Sequence, residues 1–127
     1  EASWTFGDFR TRAYDDAVIA ALGLTRRRGL LPPIVDGTGT THPLTAAAAE
    51  ATGLLAGTPV SLGYVDMVMT ALGAGVHTGD AGAACTVIGS TGVHLLSKRV
   101  EDVTLNAAGT GYVMALPVPG RVTQMQP

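Results

Sequence analysis

Apolar and polar positions change period along the chain, and the changes mark off helical and extended stretches. Glu1 to Gly29 alternates aromatic and polar residues and then turns helical. Asp15 and Asp16 stand at a helix start, Ala17, Val18, Ala21 and Leu22 follow at helical spacing, and Gly23 is the stop. Acidic residues in the first turn suit the positive end of the helix dipole. Arg26-Arg27-Arg28 lies beyond the stop and reads as a solvated loop rather than a phosphate-binding patch. Leu30 to Val35, broken by Pro32 and Pro33, is a loop or a marginal edge strand. Asp36-Gly37-Thr38-Gly39-Thr40-Thr41-His42 is a glycine-rich loop, and it predicts a flexible linker.

Pro43 to Leu55 gives the strongest helical signal, with Pro43 pre-organised for a first turn and an alanine-rich body. Its small side chains imply close approach to a neighbour; Gly53 weakens its end, and Gly57 with Pro59 closes it. Pro59 to Val65 predicts a strand that delivers Asp66 at its carboxyl end, and Met67 to Gly75 predicts a helix with Val68, Ala71 and Leu72 on one face. From Ala83 the pattern becomes extended. Ala84 to Ile88 and Val93 to Ser97 flank Gly89-Ser90-Thr91-Gly92 as a hairpin. Tyr112 to Val118 is a further strand, and no terminal element is evident before Pro127.

Composition narrows the class. The 127 residues suit one compact domain, and 46% hydrophobic against 14% charged residues is too apolar for disorder. No run approaches the roughly 20 apolar residues of a membrane span. Cys85, the single cysteine, rules out an internal disulfide and agrees with a reducing, cytoplasmic setting. A net charge of −2 argues against a nucleic-acid partner. The chain opens on Glu1 without a methionine and reads as a piece of something longer.

Asp66 is the sharpest chemical candidate. Between a strand and a helix, an aspartate can cap the helix, or it can accept the proton of a substrate hydroxyl. Position alone leaves the two readings level. Gly89 to Gly92 could bring backbone amides and two hydroxyls to an anion, though glycine turns join most hairpins. His42, His77 and His94 with Asp80 lack the paired spacing of structural zinc, so no metal site is assigned. Cys85 reads as core. Asp36 to His42 looks like a phosphate cradle, but its glycines are displaced by one position from Asp-x-Gly-Thr and no apolar strand delivers it. No P-loop or dinucleotide fingerprint is present.

Several stretches carry a family likeness. Ala48 to Val60, containing Thr52-Gly53-Leu54-Leu55-Ala56-Gly57-Thr58-Pro59-Val60, resembles the segment before the catalytic aspartate of the FGGY carbohydrate kinases. Gly63-Tyr64-Val65-Asp66, followed by Ala71-Leu72-Gly73-Ala74-Gly75, is similar to the motif of that aspartate. Gly89-Ser90-Thr91-Gly92 resembles the phosphate turn that comes next, and Phe6-Gly7-Asp8, Leu22-Gly23-Leu24 and Leu31-Pro32-Pro33 match in character. The resemblance implies an α/β fold, part of an actin-like, ribonuclease-H-like ATPase domain. It implies transfer of the γ-phosphoryl of ATP, with Mg2+, to a hydroxyl of a small sugar or polyol. Asp66 would be the catalytic base, and Gly89, Ser90, Thr91 and Gly92 would face the nucleotide phosphates. Met67 and Val68 after the aspartate look closer to the erythritol and L-xylulose kinase branches than to glycerol or D-xylulose kinases.

The likeness also implies that residues 1–127 are the latter part of the N-terminal kinase domain, without the C-terminal adenosine-binding domain. The remainder of the kinase chain is then the first partner, a homodimer stays open, and the 127 residues alone should be inactive. Two other readings stand beside this one. The first is a non-catalytic actin-like module that binds a nucleotide or a partner. The second is an unrelated domain in which Asp66 only caps a helix.

Overall fold

The computed structural model describes residues 6–37, 39–77 and 82–126. Two units are distinguished, one made of residues 1–34 and 65–127, the other of residues 35–64.

In the first unit, strands β1 (Gly7–Asp8) and β2 (Ala13–Tyr14) form a small antiparallel ribbon. Its turn contains Arg12 at φ 55, and the Arg12 guanidinium donates to the carbonyls of Val118 and Arg121 at 3.0 and 3.4 Å. The predicted first helix follows as Asp16–Ala21. Asp15 caps it, its carboxylate accepting the amides of Ala17 (2.8 Å) and Val18 (3.4 Å), and Gly23 turns the chain away at φ 70. Ile19 is the helix residue that enters the core. Asp15→Ala should cost about 1 kcal/mol, as loss of an N-cap does, and should speed amide exchange in this helix in the full-length protein.

The arginine run is exposed, as a solvated segment should be, but it is not a loop. Thr25–Leu30 winds into a 3-10 helix, because Arg28 pairs with Asp16 at 3.1 Å and stacks over the Tyr14 ring at 4.5 Å. The residues after it, through Val35, form a loop, as the two prolines dictate.

Strands β5 (Ala84–Ile88), β6 (Gly92–Arg99), β7 (Tyr112–Ala115) and β8 (Arg121–Gln126) form an antiparallel sheet in the order β5-β6-β8-β7. The expected hairpin is present, pairing Ala84 with Leu96 and Ile88 with Gly92. β8 was not expected, and it occupies an interior position. Leu95 faces Met125, Ser97 faces Thr123, and Met114 faces Thr123 from the other side. Val122 and Thr123 are both fully buried, so β8 is covered on both faces. The strand β7 ends at Ala115, short of Val118, because residues 116–120 turn into β8. Leu116 donates to the Arg121 carbonyl at 3.0 Å, and Gly120 adopts φ 71. Cys85 is half-buried on the edge strand β5 rather than in the core, because an edge position leaves one side of the strand uncovered.

The second unit pairs β3 (Thr41–Pro43) with β4 (Pro59–Ser61), Pro43 opposite Pro59. Pro43 is therefore in a strand, and the alanine helix starts three residues later than expected, at Ala46–Thr52. Thr45 is its cap, with Oγ1 accepting the Ala48 amide at 3.2 Å, and Gly53 closes it in the left-handed conformation at φ 74. Ala49 is buried while Ala46, Ala47 and Ala51 are exposed, so the close neighbour implied by the alanines is present on one stripe alone.

Read as a flexible linker, the glycine-rich loop is instead pinned at Asp36 and Gly37, while Thr38 lies outside the described residues. Ser61 Oγ donates to the Gly37 carbonyl at 2.6 Å, and the Tyr64 hydroxyl donates to Asp36 Oδ1. Gly37 is buried against the Gly63 carbonyl, which a Cβ at position 37 would overlap. No helix among the described residues is long and apolar enough to cross a membrane.

Candidate functional site

The strand expected to deliver Asp66 ends at Ser61. Its last ladder partner is Thr41, where β3 begins, and the chain then bends at Gly63 with φ 65. Leu62 to Val65 therefore lie outside any strand, and Asp66 opens the helix Asp66–Gly73 directly. Val68 and Ala71, at 2% and 0% exposure, anchor this helix, which leaves its first residue at the surface.

Asp66 is not the cap itself. Val65 holds that position and supplies no side-chain hydrogen bond. The Asp66 Oδ1 atom accepts the Met67 amide at 2.8 Å, one of the donors a helix start leaves without a partner. Among the described residues the second carboxylate oxygen takes no hydrogen bond. The Asp66 carbonyl accepts Thr70 Oγ1 at 2.9 Å, which steadies the first turn. Met67 is half-buried and Met69 exposed. One oxygen is held by the backbone, and the other accepts no hydrogen bond from the described residues. Such a carboxylate is oriented and still able to accept a proton.

The Gly89–Gly92 turn closes β5 onto β6 at the tip of the hairpin and is exposed throughout. The Gly89 amide donates to the Thr91 carbonyl at 3.0 Å, so that amide is used inside the turn. Neither glycine has a positive φ, and a Cβ on Gly92 would meet nothing within 4 Å. On Gly89 it would reach only the Thr91 carbonyl, at 3.9 Å. Backbone conformation does not demand glycine at either position. What the missing side chains leave is open approach to the turn from outside, as a nucleotide phosphate needs.

Asp66 and the turn belong to the same unit, and no hydrogen bond or ion pair joins them among the described residues. His94, two residues beyond the turn, contacts Thr86 Oγ1 through Nδ1 at 3.0 Å. His42 is exposed in β3, His77 is half-buried with Nδ1 unpartnered, and Asp80 lies outside the described residues. Among the described residues no group of three or more His, Cys, Asp or Glu side chains could hold a metal ion. Sequence reasoning missed the anchoring of the residues before Asp66. Tyr64, quoted as part of the aspartate motif, is the side chain that ties that stretch to Asp36.

The sequence profile of the FGGY family of carbohydrate kinases, N-terminal domain, matches residues 2–73, which include Asp66 and stop short of the sheet. Erythritol kinase of Brucella abortus (strain 2308) is 71% identical over 126 residues, covering 99% of this chain and 24% of that protein. L-xylulose/3-keto-L-gulonate kinase of Escherichia coli (strain K12) is 43% identical over 64 residues, 50% of this chain and 13% of that one. The crystal structure of xylulose kinase from Rhodospirillum rubrum superposes with a TM-score of 0.70 at 24% identity, covering 98% of this chain and 25% of its own. The chain thus spans about a quarter of the length of the erythritol kinase it matches. The structural likeness shows the α/β fold to be that of an actin-like sugar-kinase domain, as the sequence resemblance implied. The chain belongs to the FGGY family of carbohydrate kinases.

Proposed function

We propose that this chain is a segment of an ATP-dependent kinase that phosphorylates a hydroxyl of a small polyol, with erythritol as the leading substrate. The observation that carries the reading is the 71% identity to an erythritol kinase, sustained over 126 residues. In this reading Asp66 is the catalytic base. As the substrate oxygen bonds to the γ-phosphorus, its proton passes to the Asp66 carboxylate, and the bond from that phosphorus to the ADP oxygen breaks. The hydrogen bond from the Met67 amide holds one oxygen while the other takes the proton. Positioning of this kind is most of what a protein contributes to phosphoryl transfer.

ATP with Mg2+ supplies the phosphoryl group and the metal's charge. The open Gly89–Gly92 turn fits a phosphate-facing role, since nothing within the protein requires its glycines. In this reading Mg2+ arrives with the nucleotide. We assign residues 1–127 to the latter part of the N-terminal kinase domain, with the Gly89–Gly92 hairpin in it facing the nucleotide phosphates. The rest of the kinase, in the cytoplasm, completes the site. The 127 residues alone would then turn over nothing.

The test is a substrate panel with the full-length protein and MgATP. Erythritol should give the highest kcat/KM among erythritol, L-xylulose, ribitol, glycerol and D-xylulose, read as ADP release. ATP binding with no turnover on any of the five would favour a non-catalytic nucleotide-binding module instead. The turn has its own test. Gly92→Ala should leave the melting temperature of the full-length protein nearly unchanged, because the added methyl meets open space at an ordinary φ. The same variant should raise KM for ATP, about tenfold, the scale of one lost hydrogen bond to a charged group. An unchanged KM for ATP would remove the phosphate-facing assignment.

A further inference from the structure

The hairpin that carries the Gly89–Gly92 turn also holds a polar contact without a part in the reading above. Thr86 and His94 are ladder partners across β5 and β6, and Thr86 Oγ1 meets His94 Nδ1 at 3.0 Å. Both residues are exposed and belong to the first unit. Two further pairs, Val87 with Val93 and Ile88 with Gly92, lie between them and the turn. Side chains alternate along a strand, so His94 shares a face with Gly92 and Ile88. Roughly 7 Å of strand separates the His94 Cα from that of Gly92.

The contact decides what the ring can offer. Among the described residues Nε2 makes no hydrogen bond. A threonine hydroxyl both donates and accepts, so it satisfies Nδ1 whether or not that nitrogen carries a proton. With the hydroxyl donating, the neutral ring keeps its proton on Nε2. In the imidazolium both nitrogens carry one, and the hydroxyl accepts instead. An approaching anion selects these two forms over the tautomer whose Nε2 is bare. The surrounding charge is favourable as well. Residues 84–99 and the strand β8 contain no Asp or Glu. The ladder neighbours of His94 are Thr86 and Gln126, both uncharged, and Lys98 stands on the same face four residues on.

We propose that His94 is a further nucleotide-binding residue, its Nε2–H donating to a phosphate oxygen of ATP lying along the hairpin, with Thr86 holding the ring for it. The proposal rests on the phosphate-facing role of the Gly89–Gly92 turn. Ser90 and Thr91 offer short hydroxyls at the tip, and the longer imidazole reaches out from two residues behind it. Donors spread along the hairpin in this way suit an extended polyphosphate better than a single phosphate group. Each such bond to a charged oxygen is stronger than one between neutral groups.

Saturation of the full-length protein with MgATP tests it, in His94→Leu, His94→Gln and Thr86→Val beside Gly92→Ala. His94→Leu removes the donor and should raise KM for ATP about tenfold. His94→Gln sets an amide donor near the place of Nε2 and should stay within about threefold of the parent. Thr86→Val keeps a β-branched residue in the strand but frees the ring, which must then be ordered on binding; KM for ATP should rise about threefold. KM for erythritol should change less than about twofold in the three variants, because the contact is to the nucleotide. Equal rises in His94→Leu and His94→Gln would mean that the ring only packs, and would overturn the proposal. A rise in Gly92→Ala with none in His94→Leu would overturn it and leave the role of the turn standing. No rise in either would remove the role of the turn and this proposal together.

Discussion

Replacing Asp66 by asparagine in the full-length protein is expected to lower kcat by about 10²–10⁴-fold, the usual contribution of a positioned general base. The local structure explains why this substitution isolates chemistry from folding. Asp66 is exposed, and its one side-chain hydrogen bond runs from the Met67 amide to Oδ1. An asparagine oxygen accepts the same bond, so the helix Asp66–Gly73 keeps its start, and Val68 and Ala71 keep it anchored. The change in stability should be limited to the lost charge at the helix N-terminus, about 0.3–1 kcal/mol. Against that, a 10³-fold fall in kcat corresponds to about 4 kcal/mol of transition-state stabilisation. Since the base acts in the chemical step, KM for the polyol should move little. Near-normal turnover in a folded variant would leave Asp66 with nothing but its bond to Met67.

The family was legible in the sequence because it is carried by local runs. Glycines, a proline and an aspartate at fixed offsets hold their meaning wherever the surrounding chain packs. The first helix was legible for the same reason, since Asp15 and Gly23 make its ends through bonds to residues a few positions away. Failures came where a distant partner decided the outcome. Pro43 looked like a helix start, yet its pairing with Pro59 put it in a strand and handed the cap to Thr45. The stretch Asp36 to His42 read as a linker because neither Ser61 nor Tyr64, some 24 to 28 residues from the partners they bind there, announces that contact. β8 was invisible for a different reason. Arg-Val-Thr-Gln-Met-Gln carries few large apolar residues, and an interior strand normally reads as an apolar run. Here Thr123 is fully buried and the Gln124 side-chain oxygen is buried too, so polar residues occupy positions that the usual pattern reserves for valine or leucine.

Gly111 gives the largest expected effect on the fold. It stands at the entrance to β7 with φ 81, a conformation that disfavours any side chain. The site is also closed sterically, because a Cβ would overlap the Met125 carbonyl and the Gln126 amide, and Met125 belongs to the interior strand. A backbone carbonyl in a sheet cannot rotate aside as a side chain can. Strain at positive φ costs about 1 kcal/mol for alanine, and forced displacement of packed atoms adds about 1–3 kcal/mol. Gly109, two residues earlier at φ 66, carries the first penalty without the second, since nothing lies within 4 Å of its Cβ direction. The pair therefore separates packing from backbone strain. Hydrogen exchange of the β7 and β8 amides in the full-length protein should accelerate about 100-fold in Gly111→Ala and no more than about tenfold in Gly109→Ala. Equal acceleration in the two variants would mean that positive φ alone matters and that the contact between the loop and β8 is slack. If the contact is tight, Gly111→Ala should also displace the Gln126 side-chain amide, seen as a shifted amide resonance along with the lost protection of β8.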